Sequence, residues 1–436
     1  MNETSRSRST SRKGMISWAL YDWANQSFPT VIQTFIFAAY FTRRVAENET
    51  TGTAMWGNIL AVSGLIVAFG GPVLGAIADQ GGRRKPWIAT FTMLCVLAMG
   101  LMWFVTPSSD SLLLALVLVG GGTIASEYAM IFYNSMLPTL VGSDRLGRWS
   151  GMGWSMGYAG GLVCLGVALL AFVTADQPWL GLDRDSAEHV RATFLLAAGW
   201  YLLFSIPLFL FTPDAKSRGV KAKQAVSKGL HQLVDSMRHV KRYKNIVKFF
   251  IARMIYIDGL ATVFAFGGVY AAGTFNMSEQ QVLIFGIGLN VTAGLGAALF
   301  SFVDDRIGSK TTILFSLGGL ILAGTAILLV HEAAWFWTFG LILGIFVGPV
   351  QASSRTFLAR AAPEHLQSQM FGLYAFSGKA TSFVGPFLVG SLTYLSGSQR
   401  IGMSVIIAQF CIGGLLLLFV ASPEREASGS RMPRHK

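Results

Sequence analysis

The chain has 436 residues, of which 53% are hydrophobic and 13% charged, where soluble domains carry about a quarter charged residues. Its formal charge is +12 and its mean hydropathy is +0.53. This composition excludes an ordinary soluble domain, and basic residues placed at the ends of apolar segments argue against a nucleic-acid partner.

Twelve mostly apolar segments are each long enough to cross a hydrocarbon core of about 30 Å: 14–41, 54–79, 86–106, 111–135, 149–173, 192–211, 246–272, 281–303, 311–330, 333–354, 369–393 and 400–421. They divide the chain into a tail at 1–13, six spans within 14–211, a polar linker at 212–245, six spans within 246–421 and a tail at 422–436. The predicted fold is an all-α membrane protein of twelve transmembrane helices in two pseudo-symmetric six-helix bundles. Arg6, Arg8, Arg12 and Lys13 mimic the start of a signal peptide. The apolar segment behind them is too long and carries Asp22, so it reads as the first span, with Asn25 one turn further on.

The second span runs into Gly75-Ala-Ile-Ala-Asp79-Gln-Gly-Gly82-Arg83-Arg84-Lys-Pro86. Basic residues in a cytoplasmic turn obey the positive-inside rule. That rule does not explain Asp79, one helical turn after Gly75. A carboxylate there can pair with a basic residue or accept hydrogen bonds from a nearby helix N-terminus. Such a contact, made in only one conformation, biases a two-state equilibrium. The fourth span carries Glu127 and Asn134. In the fifth, Gly153, Gly157 and Gly161 recur every fourth residue, which suits close helix packing. Gly153-Trp-Ser-Met-Gly157 matches a hydrolase pattern, but it lies inside an apolar span without a nearby His, so no catalytic role is expected.

In the linker, Val226, Leu230, Leu233, Val234, Met237 and Val240 fall at helical spacing, with Lys228, Arg238, Lys241 and Arg242 on other faces. This predicts an amphipathic helix on the anionic inner leaflet, with a platform for a partner as the alternative. The seventh span holds Arg253 and Asp258, the eighth Asn290, the tenth Gln351 and the eleventh Lys379. The eighth ends in Asp305-Arg-Ile-Gly308-Ser-Lys310, an echo of the run at Asp79. Gly82 aligns with Gly308 and Arg84 with Lys310. Gly151 and Gly157 likewise echo Gly372 and Gly378. Repeats at this scale are typical of transporters whose halves rock about a midplane site.

With the N-terminus cytoplasmic, 26 Lys and Arg fall inside and five outside: Arg43, Arg44, Arg184, Arg191 and Arg400. Positions 355 and 360 count as inside turn residues. This asymmetry predicts both termini in the cytoplasm and a multi-pass protein of the inner or plasma membrane. Ionisable groups within spans are costly and are functional candidates by default; here they are Asp22, Glu127, Arg253, Asp258 and Lys379. At 1.5 Å per residue, Asp258, Glu127 and Lys379 lie about 15–18 Å from the cytoplasmic end, and Asp22 and Arg253 about 10–12 Å. The plainer alternative is a set of internal salt bridges that fix helix packing. Asp22 or Glu127 is the first candidate for proton exchange, with movement of Arg253 or Lys379 switching its protonation. Lys379 can also meet a substrate carboxylate. Asn25, Asn134, Asn290 and Gln351 add neutral hydrogen-bonding groups. The six His show no metal-ligand spacing, there is no phosphate loop, and Cys95, Cys164 and Cys411 lie in apolar segments. No metal, cofactor or disulfide framework is expected.

The run from Gly75 to Lys85 resembles the signature between helices two and three of the major facilitator superfamily. The chain is also similar to the "unknown major facilitator" family, related to the fungal vacuolar autophagy-linked amino-acid effluxers. The similarity rests on Ala19-Leu-Tyr-Asp-Trp-Ala-Asn25, Phe132-Tyr-Asn-Ser135, Gly157-Tyr-Ala-Gly-Gly161, Ala252-Arg-Met-Ile-Tyr-Ile-Asp-Gly259, Gln351-Ala-Ser-Ser-Arg355, Phe371-Gly-Leu-Tyr374 and Ser377-Gly-Lys379. The resemblance implies twelve helices, alternating access, a central cavity lined by spans one, four, seven, ten and eleven, and an inner-gate role for Gly75, Asp79, Gly82, Arg83, Arg84, Asp305, Gly308 and Lys310. The expected function is secondary transport of a small polar solute, with an amino acid as one option, coupled to protons, by a monomer in a lipid bilayer. A non-transporting receptor or scaffold on the same fold is the alternative. A membrane enzyme is disfavoured because no catalytic constellation appears.

Overall fold

The computed structural model describes residues 10–174 and 181–423; the distal parts of both tails lie outside them. The described residues are predominantly helical and contain no strand. Among the described residues, ten helices, some counted with a short adjoining helical turn, are long and apolar enough to cross a membrane. They are α3 (Glu49–Gly81), α4 (Lys85–Leu101), α5 (Leu112–Leu140), α6 (Leu146–Ala168), α7 (Glu188–Phe211), α9 (Lys244–Phe275), α10 (Glu279–Ile307), α11 (Ser309–Leu329), α12 (Ala333–Ala361) and α15 (Gln399–Leu418). Many of their large apolar residues face outward, Leu113, Leu299 and Leu322 among them. Hydrocarbon, unlike water, accepts such a surface without cost.

The other two predicted spans are broken. In the first, α1 (Arg12–Asn25) gives way to wide π-helical turns at Phe28–Phe35 and Phe41–Val45 around the short α2 (Phe37–Tyr40). Pro29 has no amide hydrogen to offer the preceding turn, so the regular ladder slips there. The predicted eleventh span is α13 (Gln367–Lys379) and α14 (Val384–Ser396), separated by a turn at 380–383. Pro386, in the first turn of α14, is where a continuous helix would lose a hydrogen bond and meet a ring clash. The linker forms α8 (Ala222–Arg238).

Before the linker, α1 packs on α6 and α7, and α4 on α5 and α7. After it, α9 packs on α15, and α12 on α10 and α11. The two parts of the chain meet where α3 lies against α13 and α6 against α10. Glycine permits the first approach: a Cβ on Gly75 would collide with the Ser368 carbonyl, and one on Gly372 with the Gly71 carbonyl. The glycine stripe on α6 has the same use. Gly153, Gly157 and Gly161 admit Asp22, Gln26 and Thr30 of the first span at close range.

Candidate functional site

The turns after α3 and α10 are built alike. Each helix ends on a glycine with positive φ, 85° at Gly82 and 87° at Gly308, a conformation that favours glycine. One turn earlier in each helix a carboxylate reaches across to the other half of the chain. Asp79 Oδ1 and Oδ2 accept the backbone N–H groups of Ser368 at 3.0 Å and Gln369 at 2.9 Å, in the first turn of α13. Asp305 Oδ1 and Oδ2 accept those of Gly147 at 2.8 Å and Arg148 at 3.0 Å, in the first turn of α6. First-turn N–H groups lack partners within their own helix and carry the positive end of its dipole, so a carboxylate is their natural partner.

Each carboxylate also has a cation nearby. Arg84 Nη2 lies 3.6 Å from Asp79 Oδ1. Arg360 bridges Asp304 at 2.7 Å and Asp305 at 3.2 Å. Burial pulls the Arg84 guanidinium down from its ordinary value, and Asp79 and then Asp214 oppose that shift. The structural counterpart of Lys310 is Lys85 rather than Arg84. Lys310 Nζ donates to the Leu418 carbonyl and Lys85 Nζ to the Phe209 carbonyl, each tying the turn to the last helix of its own half. Arg83 is exposed.

About one turn deeper, the buried guanidinium of Arg355 joins the halves again. Nη1 donates to Asp22 Oδ2 at 3.2 Å and to Asn134 Oδ1 at 3.0 Å. Nε and Nη2 donate to Ser150 Oγ and its carbonyl. Tyr133 donates to the same Asp22 oxygen at 2.8 Å, and its ring stacks on Trp18. Sequence reasoning missed Arg355. It was assigned to a cytoplasmic turn after a span ending at 354, but α12 continues to Ala361 and buries it. The signal was the stretch Gln351-Ala-Ser-Ser-Arg355, whose small residues make room for the guanidinium.

Of the two cations expected to act on Asp22 or Glu127, Arg253 meets neither and Lys379 meets Glu127. Arg253 donates to the Tyr374 carbonyl at 2.7 Å and Ser377 Oγ at 2.6 Å, with its guanidinium 3.4 Å from the Tyr374 ring centroid. Lys379 and Glu127, each about one-third exposed, form an ion pair of 2.6 Å across the halves. Gln351 Nε2 donates to Tyr158 at 3.0 Å, again across them. Asn25 stays within its half, donating to Ser126 and Tyr201. Asp258 accepts the Gly385 N–H at the start of α14. Asn290 donates to Gly286 on its own helix and lines a cavity of about 620 Å³. That mostly apolar cavity lies toward the end opposite the glycine turns, with Phe35, Val263, Phe336 and Phe410 in its wall. The predicted site residues therefore form separate layers rather than one cluster.

The linker helix sits on the α3–α13 contact. Gly229 lies against the α3 backbone at Ile77. Gln232 accepts from Gln80 of α3 and donates to Gln369 of α13 at 2.8 Å. Val226, Leu230 and Val234 face away and are exposed.

A family model described as vacuole effluxer Atg22 like matches residues 44–428. YxiO of Bacillus subtilis (strain 168), an uncharacterized MFS-type transporter, is 26% identical over 407 residues, covering 93% of this chain and 94% of that protein. Autophagy-related protein 22 of Vanderwaltozyma polyspora is 22% identical over 439 residues, or 91% of this chain and 79% of its own length. The protein of the same name in Cryptococcus neoformans var. neoformans is 25% identical, but the match spans 61% of this chain and only 51% of that protein. Among solved structures, the proton:xylose symporter XylE superposes with a TM-score of 0.71 at 16% identity, covering 95% of this chain and 98% of XylE. The major facilitator transporter FucP in its outward conformation gives 0.70 at 11% identity, covering 94% and 98%. At these identities the likeness establishes the major facilitator fold.

Proposed function

The chain belongs to the vacuole effluxer Atg22-like family, and on that premise we propose that it moves a small polar solute across a membrane by alternating access, coupled to protons. The reading takes twelve spans, with the broken first and eleventh counted, as two six-helix halves at 14–211 and 246–421. It places both termini in the cytoplasm of a monomeric inner- or plasma-membrane protein. Amino acids are the first solutes to test, because the sequence motifs resemble those of fungal vacuolar amino-acid effluxers and the family that matches is described as vacuole effluxer Atg22 like.

The pair of contacts made by Asp79 and Asp305 carries this reading. Each joins one half to a helix N-terminus of the other, and both lie at the glycine-turn end. They favour a state closed at that end, which the positive-inside rule makes cytoplasmic. The cavity toward the opposite end supports an outward-facing arrangement. Asp22–Arg355 and Glu127–Lys379 are further cross-half pairs that must part when the inner end opens. Asn134, Gln351 and Asn290 are then polar groups of the pathway.

Purified protein in proteoliposomes tests the proposal, with labelled amino acids on one side and a proton gradient imposed. Solute flux that collapses with a protonophore supports it. A thermal-shift screen against amino acids, peptides, sugars and nucleosides selects the solute, since a ligand bound to the folded state raises apparent stability. Flux absent for every solute that gives a shift would contradict transport.

A further inference from the structure

The break between α13 and α14 leaves a helix N-terminus among packed helices, and Asp258 of α9 answers it. Asp258 is 2% exposed. Its Oδ2 accepts the Gly385 N–H at 2.8 Å and the Gln409 Nε2 at 2.6 Å. Its Oδ1 has no partner among the described residues, and neither has Oε1 of Gln409, which is 7% exposed. Two neighbouring buried groups each hold an acceptor without a donor, a costly arrangement that one hydrogen relieves.

Among the described residues, no ion pair to this carboxylate forms. Arg253 of α9 is held by Tyr374 and Ser377. Lys379 of α13 is on Glu127. Of the α12 arginines, Arg355 is on Asp22, and Arg360 is on the α10 residues Asp304 and Asp305. Arg400 of α15 donates to the Leu328 carbonyl. Tyr256 of α9 is hydrogen-bonded to Ser354, α14 brings only the exposed Tyr394, and α15 brings the half-buried thiol Cys411. Asp22, Glu127, Asp79 and Asp305, by contrast, each have a basic partner. A buried carboxylate without a compensating charge resolves its cost by becoming neutral.

We propose that Asp258, rather than Asp22 or Glu127, carries the coupling proton. The inference rests on the proton-coupled reading above. In the state described, a proton on Oδ1 forms an O–H bond that donates to Gln409 Oε1, while Gln409 Nε2 continues to donate to Oδ2. Acid and amide then satisfy each other. The proton enters from water in the outer cavity, whose wall includes Val263 of α9 and Ile406 and Phe410 of α15, about one and a half helical turns or less from Asp258 and Gln409. Breaking the O–H bond releases the proton to water on the other side after the halves have rocked. It leaves a carboxylate that pulls harder on the first turn of α14. Helices broken at mid-depth are where transporters commonly build ion sites, and this one has a carboxylate already seated on its N-terminus.

Infrared spectroscopy of the full chain in lipid vesicles, titrated from mildly alkaline to mildly acidic buffer, tests the assignment without knowledge of the solute. The expected result is a carboxylic-acid carbonyl band that is lost in Asp258→Asn and retained in Asp22→Asn. Gln409→Leu, which removes the acceptor, is expected to shift that band. It remains decisive if Asp258→Asn does not insert. A band unaltered by both variants overturns the proposal. So does a band that responds to sodium at constant pH, which would indicate a cation site instead. If the band behaves as expected but no solute moves under a proton gradient, the proton-coupled reading fails while the protonation site stands.

Discussion

Asp79 and Asp305 make the same contact from opposite halves of the chain. Each carboxylate accepts two backbone N–H groups in the first turn of a helix in the other half, at 2.9–3.0 Å for Asp79 and 2.8–3.0 Å for Asp305. Hydrogen bonds to a charged group contribute about 1.5–3 kcal/mol each. Two such pairs are enough to dominate a conformational equilibrium whose states differ by a few kcal/mol.

Neutralising one aspartate should therefore weaken closure, and neutralising both should abolish it. Asp79→Asn and Asp305→Asn are each expected to reduce transport at least tenfold, with insertion and expression near wild type. The double variant should be worse than either. Flux assays on matched amounts of reconstituted protein decide this; normal flux in Asp79→Asn would remove that residue from the mechanism.

Helix approach depends on the absence of side chains at Gly75 and Gly372. A Cβ at either meets backbone of the opposing helix, whereas one at Gly81 or Gly100 meets nothing within 4 Å. Gly75→Val and Gly372→Val should force α3 and α13 apart, an overpacking cost of about 1–3 kcal/mol. Gly81→Ala and Gly100→Ala should behave as wild type. Thermal unfolding alongside flux compares them, and equal tolerance of Gly75→Val and Gly81→Ala would contradict the close contact.

The buried Asp22–Arg355 pair should be asymmetric under mutation. Removing one partner of such a pair leaves a stranded charge and costs about 3–5 kcal/mol, while replacing both is far milder. Arg355→Met alone is thus expected to lower thermal stability sharply. Asp22→Asn combined with Arg355→Met should recover much of the loss without restoring transport. Single and double variants that lose stability additively would show that the two groups are not coupled.

Glu127 and Lys379 are each about one-third exposed, so their pair should matter little for stability, below about 1 kcal/mol. Its predicted importance is for the cycle. Glu127→Lys with Lys379→Glu is expected to regain a substantial part of the flux that either change alone removes. Recovery of flux by neither the swap nor the double neutral variant would instead point to direct solute contact by one of them.

Several of these features were legible in the sequence, and the reasons are physical. Gly82 and Gly308 were visible because a helix end in a membrane needs a turn residue and basic flanks, and Asp79 and Asp305 because that need leaves a carboxylate one turn earlier unexplained. Arg355 was not legible as a buried group, because hydropathy locates a helix end only to within several residues. The partners of Asp22 and Arg253 were not legible either, since pairing across helices depends on rotation about each axis. The two broken spans carried a local sign, Pro29 in the first and Gly385-Pro386 in the eleventh. Apolar length alone hides such breaks.

The central claim is that twin carboxylate contacts hold the inner end closed. It is tested most directly by spin labels on Ser143, before α6, and Glu364, before α13, both exposed. Double electron–electron resonance on the wild-type background should give a predominantly short distance. Asp79→Asn with Asp305→Asn should transfer most of that population to a longer one. An unchanged distance distribution in the double variant would contradict the account.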